Sequence, residues 1–176
     1  MGVAAAANGQ GQIGTSQSGD GQGGTASIGV TGTASSFQAP TTIVLAAGNG
    51  GGNNFRPLGT FTTLAGGGGV GGQASITIGP DASSTADFGN TSIGATGDGG
   101  GAAGENSAGG QGEGGTASIA GTGGGTAQFN DVTIDTSGTG GGATSPSGQT
   151  ASSGDAFGGV INVTATVGTT LAIGAN

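Results

Sequence analysis

The sequence lacks most of the side chains that enzymes use for chemistry. It contains no Cys, His, Trp or Tyr, and Arg56 is its single Lys or Arg residue. General acid–base and nucleophilic catalysis draw mainly on these residue types and on carboxylates, and only nine Asp and Glu residues are available. Without cysteine there are no disulfides and no thiolate metal sites. The sequence predicts a protein that is not an enzyme.

Positive charge and long apolar runs are equally scarce. The formal net charge is −8 and the sequence pI is about 4.1. Nucleic acids and anionic membranes are bound through clusters of Lys and Arg. A membrane-spanning helix needs about 18 or more consecutive apolar residues, and no run approaches that length. We therefore expect no nucleic-acid partner and no membrane insertion.

Small residues dominate what is present. Gly, Ala, Thr and Ser supply 48, 26, 25 and 16 residues, about two thirds of the chain, while Leu, Ile, Val and Phe total 28. Low-complexity chains of this composition are commonly disordered, so disorder is one alternative. Disordered chains usually carry high charge, however, and only 6% of these residues are charged. The large apolar residues also recur in a regular order, which favours a folded chain.

That order is a repeat of 43 to 48 residues. A glycine pair precedes TASI at 25–28, QASI at 73–76, TASI at 116–119 and VINV at 160–163. The repeats therefore begin near residues 23, 71, 114 and 158. A glycine signature also returns as AGNGGG at 47–52, TGDGGG at 96–101 and SGTGGG at 137–142. Residues 1–176 are thus predicted to form a single repeat array.

The local pattern within the repeats is that of β-strands. Apolar and polar residues alternate with period two in SITI (75–78), VTID (132–135) and INVTATV (161–167), and these segments are rich in β-branched residues. Glycine interrupts every window long enough for a helix. The sequence therefore predicts an all-β fold.

A single repeat has too few large apolar residues to fold alone. Burying each contributes about 1.5–3 kcal/mol, whereas ordering each residue costs about 1.5 kcal/mol. The repeats are therefore expected to stack as a parallel β-helix (β-solenoid) with long Gly-rich loops, each repeat forming either two coils or one coil with a Gly-rich excursion. Stacking predicts three internal columns: Ile28, Ile76, Ile119 and Val163; Phe37, Phe88 and Phe129; and Val44, Ile93, Ile134 and Ile173.

The Gly-Gly-Thr-Ala-Ser-Ile segments at 23–28 and 114–119, set among Thr, Ser, Ala and Gly, carry a resemblance. They resemble the low-complexity repeats of large bacterial surface exoproteins, such as autotransporter passengers and filamentous-haemagglutinin-type adhesins. The resemblance spans nearly the whole chain and rests on composition and periodicity. It implies a right-handed β-helix outside the cell, at the cell surface, that serves as a stalk, fibre or adhesin.

A second architecture remains open. Gly-rich segments also pack as bundles of polyproline-II-type helices, similar to certain Gly-rich antifreeze proteins. Such bundles need Gly at every third position, because only Gly fits where backbones pack this closely. Here the glycines come in runs that shift out of that frame, so the β-helix is the favoured fold.

The carboxylates and hydroxyls suggest few sites. Gly-Asp-Gly at 19–21 and 97–99 offers oxygen ligands for Ca²⁺, so a calcium-stiffened binding module is an alternative function, although Asp has no fixed place in the repeat. We otherwise expect no cofactor. Asp131 and Asp135 flank a strand but lack the aromatic platform of a glycosidase. Thr-x-Thr at 31–33, 60–62 and 164–166 suggests an ice-binding solenoid, yet it occupies different places in the repeats.

The final expectations concern partners. Phe55, Arg56 and Phe61 form the bulkiest insertion in the chain and are the predicted lateral contact, because aromatic residues and Arg are enriched at interfaces. Residues 170–176 match 91–96, which suggests that both ends of the chain fall at the same point of the repeat. We therefore expect self-association or contact with neighbouring repeats in a longer array, with an unknown ligand.

Overall fold

A computed structural model describes residues 2–9, 12–13, 18–54, 64–81, 83–104, 106–145 and 149–174. The described residues form 24 β-strands and no helix, which confirms the predicted all-β class. It follows that this part of the chain holds no helix long and apolar enough to cross a membrane.

The strands fall into four successive levels, each corresponding to one pass of the chain. The first level contains β1 (Gly2–Asn8), β2 (Gln12–Ile13), β3 (Gly21–Gln22), β4 (Thr25–Val30) and β5 (Ser36–Gln38). The second contains β6 (Thr41–Asn49), β7 (Asn53–Asn54), β8 (Gly69–Val70), β9 (Gln73–Ile78) and β10 (Thr85–Asp87). The third contains β11 (Asn90–Gly94), β12 (Gly97–Asp98), β13 (Ala102–Ala103), β14 (Ser107–Ala108), β15 (Gly112–Glu113), β16 (Thr116–Gly121) and β17 (Thr126–Phe129). The fourth contains β18 (Asp131–Asp135), β19 (Gly138–Thr139), β20 (Ala143–Thr144), β21 (Ala151–Ser152), β22 (Ala156–Phe157), β23 (Val160–Ala165) and β24 (Thr170–Ile173).

Equivalent strands of successive levels pair in parallel. In the sheet β4–β9–β16–β23, for example, Thr25 pairs with Gln73, Gln73 with Thr116 and Thr116 with Val160. The same parallel order holds in the sheet β5–β10–β17–β24 and in the sheet that contains β1, β6, β11 and β18. One repeat of the sequence therefore makes one pass through the sheets, and the strands described here do not divide a repeat into two coils.

The apolar core lies between the inner faces of these sheets. Residues alternate between exposed and buried along β4, β6 and β9, as expected for strands with one face on a core. Ile76, Ile119 and Phe88 are fully buried at its centre. The alternation predicted from the sequence thus corresponds to the inward and outward faces of the sheets.

Beyond the core, glycine backbones pack directly on one another. Within one level the Gly67 N–H donates to the Gly51 carbonyl, and between levels the Gly100 N–H donates to the Gly67 carbonyl of the preceding level; the equivalent bonds along the row span 2.8–3.0 Å. A methyl group on Gly100 would overlap the carbonyl oxygen of Gly51, so only glycine permits this approach. We call this row the glycine seam, and it comprises Gly19, Gly51, Gly67, Gly100, Gly110, Gly141 and Gly154.

The seam corrects the expectation of long Gly-rich loops. Buried backbone groups must be hydrogen-bonded, and here the facing glycine segments satisfy one another, so they pack as part of the fold. The described residues as a whole do not form a polyproline-II bundle, because their strands pair in parallel sheets. The close packing of glycine backbones that motivated that alternative is nevertheless present in the seam.

Candidate functional site

The predicted internal columns can be located on the sheets. Ile28 pairs with Ile76, Ile76 with Ile119, and Ile119 with Val163. In the facing sheet, Val44 pairs with Ile93 and Ile93 with Ile134. The core cluster contains the buried members of these columns, with Ile134 half-buried at its edge, whereas Val163 is exposed. Below the fourth level the columns are therefore internal packing.

The phenylalanine column holds three rings in contact, with Phe88 and Phe129 stacked at 8° and Phe37 tilted by 36° against Phe88. The ring centroids of Phe37 and Phe88 lie 4.9 Å apart, as do those of Phe88 and Phe129. By backbone register, however, Phe37 pairs with Ala86, so its ring reaches Phe88 from a neighbouring position. Aromatic pairs at this separation contribute about 0.5–1.5 kcal/mol beyond the area they bury.

Ile173 does not join the column of Ile134. The structure pairs it with Phe129, and it pairs Thr170 with Thr126, so β24 belongs to the sheet of the phenylalanine strands. The resemblance of 170–176 to 91–96 is only local, because register is set by the neighbouring strand and not by a short matching sequence. By register, Ile173 lies at the place of Phe129 and Gly2 at the place of Thr133, so the first and last described strands meet at neighbouring points of the repeat, though not at the point that this match suggested.

The carboxylates are dispersed. The Asp20 side chain accepts a hydrogen bond from the Gly68 N–H at 2.6 Å, and that of Asp135 accepts one from the Ser137 N–H at 2.9 Å. The Ser137 backbone and side-chain bonds lower the pKa of Asp135 below its usual 3.8. Bonds from the Ser83 N–H and hydroxyl, together with Thr33, lower the pKa of Asp81 in the same way. Within the described ranges, no three Asp or Glu side chains approach closely enough to hold a metal ion.

An uncharged hydroxyl surface, which the sequence pattern alone did not reveal, lies on the outside of β4, β9, β16 and β23. Ser27, Ser75 and Ser118 stand in register on this outer face, and Asn162 continues their row. The parallel rows on either side carry Thr, Gln, Gly, Ala and Val and no charged residue. The repeated T/Q-A-S motif was the available signal, since alternate residues of a strand share one face.

The Thr-x-Thr segments have structural roles where the structure describes them. The Thr166 hydroxyl accepts a hydrogen bond from the Gly123 N–H at 3.2 Å, and the Thr169 hydroxyl accepts one from the Gly124 N–H at 3.1 Å. These bonds join stacked turns of the third and fourth levels. Thr31 and Thr33 lie in the turn after β4, and residues 60–62 lie outside the described residues.

A surface groove of about 480 Å³ runs across all four levels beside the hydroxyl surface. Its lining includes one glycine pair from each level: Gly23–Gly24, Gly71–Gly72, Gly114–Gly115 and Gly158–Gly159. Backbone bonds to adjacent strands occupy polar groups of this floor, as in the bond from the Thr116 N–H to the Gly72 carbonyl at 2.9 Å. The side chains of Gln22, Gln73 and Glu113 also line the groove, so its free hydrogen-bonding capacity comes from side chains.

Exposed apolar side chains concentrate on the fourth level. Ile161, Val163 and Ile173 are 49–55% exposed although they continue the inward-facing columns of the lower levels. By contrast Ile28, at the equivalent place in the first level, is only 5% exposed because β1 packs against β4. We call the exposed edges of β18, β23 and β24 the open end.

The predicted lateral contact cannot be placed, because Phe55, Arg56 and Phe61 lie outside the described residues. What the described residues bring together is a set of surfaces: the hydroxyl surface, the glycine groove and the open end. Comparison of the chain with protein-family models, with curated proteins and with solved structures found no significant match.

Proposed function

We propose that the chain is a non-enzymatic structural repeat segment, built as a parallel β-solenoid, of an extracellular bacterial surface protein. The observation that carries the proposal is the register of equivalent strands across four levels, with one sequence repeat per level. A solenoid of this kind is extended by adding repeats, because each level contacts only its neighbours. Such a chain suits a stalk or fibre that holds other segments away from a cell.

The mechanical basis of this role is the direction of the hydrogen bonds. Bonds between paired strands run along the stacking axis, so they join one level to the next through the backbone. The glycine seam adds bonds between facing segments, such as Gly100 N–H to the Gly67 carbonyl at 2.9 Å. Stiffness therefore comes from backbone groups, which explains how a chain with so few large side chains can be structural.

An adhesive role belongs to the same proposal and has its own support. The hydroxyl surface of Ser27, Ser75 and Ser118 is uncharged and repeats in three of the four levels, so a longer array presents many similar weak contacts. Multiple weak contacts raise overall affinity when they bind one surface together. The calcium-stiffened alternative has less support, because the described carboxylates are dispersed.

Hydrogen exchange tests the proposal. If the Gly-rich segments pack as a seam, amides of Gly100, Gly110 and Gly141 are protected together with core amides such as that of Ile119. If those segments are solvent-exposed loops, their amides exchange at rates typical of unfolded peptides while the core remains protected. Fast exchange throughout the chain would mean a disordered protein and would refute the solenoid itself.

A further inference from the structure

We propose that the glycine groove binds an extended, uncharged polysaccharide chain that runs along the stacking axis of the solenoid. This inference rests on the adhesive role proposed above and names a class of ligand for it. The groove lies on the side of the solenoid and has a volume of about 480 Å³. Every level contributes a glycine pair to it, so its length grows with the number of stacked levels.

The floor of the groove is rigid because the glycine pairs bond directly to the backbone behind them. The Gly72 N–H donates to the Ala46 carbonyl at 3.1 Å, and the Gly115 N–H donates to the Ala95 carbonyl at 2.7 Å. A methyl group on Gly71 would overlap the Ala95 carbonyl oxygen, so glycine is required where the two backbones approach this closely. The groove is therefore formed before a ligand arrives, and binding costs little free energy for ordering it.

The walls of the groove carry polar side chains that the fold itself does not use. One wall includes Gln22 and Glu113, and the other includes Thr25, Gln73 and Thr116. Within the described residues, none of these five side chains makes a hydrogen bond to another part of the chain. Thr25, Gln73 and Thr116 are in register on consecutive levels, about 4.8 Å apart. That separation is close to the length that one pyranose ring adds to an extended polysaccharide.

Charge determines which polymers the groove admits. Its described lining contains the Glu113 carboxylate and neither Lys nor Arg, and the whole chain has a net charge of −8. Nucleic acids are bound through Lys and Arg, and an acidic polysaccharide would meet charge of its own sign. The ligand class that remains is an uncharged or weakly charged polymer.

The backbone of the floor favours a polysaccharide over a peptide. The N–H groups of Gly71 and Gly114 donate to carbonyls of the next level, and those of Gly72 and Gly115 donate to the backbone behind the groove. An extended peptide binds a sheet mainly by pairing its backbone with free N–H and C=O groups, and these four N–H groups are occupied. Sugar hydroxyls donate to and accept from the amides, hydroxyls and carboxylate of the walls instead. The C–H faces of the sugar rings can pack on the glycine methylenes.

The first experiment follows the backbone amide shifts of the labelled chain by NMR while cellohexaose, an extended neutral oligosaccharide, is added. The amides of Gly71, Gly72, Gly114 and Gly115 should shift together and saturate. Maltohexaose carries the same hydroxyls on a coiled chain and should bind about fivefold more weakly, because it must be straightened to fit. Hexagalacturonate, which has a carboxylate on each ring, should not shift these amides.

The second experiment tests the walls with side-chain variants. Gln73→Ala should weaken cellohexaose binding by about three- to tenfold, because it removes one hydrogen-bonding group from the middle of the groove. Glu113→Gln should retain cellohexaose binding and reduce the discrimination against hexagalacturonate. Gln128→Ala is the matched control, because it makes the same change at an exposed residue of β17 outside the groove, and it should leave binding unchanged. Circular dichroism of each variant verifies that the sheets are intact.

The outcomes separate this inference from the proposed function. Shifts at Ser27, Ser75 and Ser118 without shifts in the groove would place the adhesive contact on the hydroxyl surface and overturn the groove as the site. Hexagalacturonate binding equal to that of cellohexaose, or binding unaffected by Gln73→Ala, would also overturn the inference. So would an absence of shifts with every oligosaccharide, or groove shifts caused only by an uncharged Ser/Thr peptide of similar length. In each case the exchange-protected solenoid stands, whereas a chain without protected amides would refute the proposed function itself.

Discussion

The glycine seam gives the sharpest test of how this chain folds. Gly100 has a backbone conformation that alanine also adopts, so Gly100→Ala adds only a methyl group. That methyl would lie closer to the Gly51 carbonyl oxygen than the 3.0 Å below which real Cβ atoms essentially never approach a neighbour. Both partners are backbone, so no flexible side chain can move aside, and the facing segments must separate.

The expected cost follows from the bonds at this point. Gly100 donates to Gly67 and accepts from Gly110, each at 2.9 Å. Two net hydrogen bonds contribute about 1–3 kcal/mol together, and overpacking costs about 1–3 kcal/mol more. The lower entropy of the unfolded alanine chain returns about 0.4–1 kcal/mol. Gly100→Ala should therefore reduce the free energy of unfolding by about 1–6 kcal/mol.

Gly142→Ala is the matched control. It lies in the equivalent glycine signature one level on, and a methyl group there meets no heavy atom within 4 Å. It should leave stability unchanged or raise it by up to about 1 kcal/mol. Urea denaturation followed by circular dichroism measures both variants. If the two substitutions change stability equally, the close approach of facing backbones is not the reason that glycine is required at Gly100.

The remaining predictions concern the core, the carboxylates and metal. Ile76→Ala should reduce the free energy of unfolding by about 2–5 kcal/mol, because Ile76 is fully buried. Val163→Ala, at the half-exposed end of the same column, should reduce it by less than half as much. If denaturant titrations give the reverse order, the assigned burial is wrong. Because the pKa of Asp135 is lowered in the folded state, its charge adds stability that is present above pH 3.8 and lost as pH falls through the folded-state pKa. The free energy of unfolding of Asp135→Asn should therefore fall less steeply with acid pH than that of the wild type. Millimolar Ca²⁺ should not change the melting temperature, and a rise of several degrees that EDTA reverses would instead favour the calcium-stiffened module.

Much of the fold could be predicted from local pattern. Period-two alternation identifies strands such as β9, because alternate side chains face opposite sides of a sheet. The recurrence of Ile28, Ile76 and Ile119 at one place in each repeat predicts their alignment, because stacked strands bring equivalent residues together. These features depend on the order of residues alone, so the sequence determines which segments form strands and how many residues separate the strands that stack on one another.

Three features were decided only by the tertiary structure. The Gly-rich segments were expected to be loops, and their role in the seam depends on which backbone faces which, a relation between segments distant in sequence. Ile173 was expected beside Ile134, and the pairing of β24 with β17 places it beside Phe129. The hydroxyl row of Ser27, Ser75 and Ser118 becomes a surface only once the sheet has an inside and an outside.

The sequence by itself therefore determined the all-β class, the repeat length and most of the inward-facing residues. Only the tertiary structure decided their environments: Ile119 and Val163 occupy one column, yet the first is fully buried and the second is 49% exposed. The physical reason is that a side chain is buried only where strands of the facing sheet and of the neighbouring levels pack against it. Those strands lie far away in the sequence, so the local residue pattern does not predict their contacts.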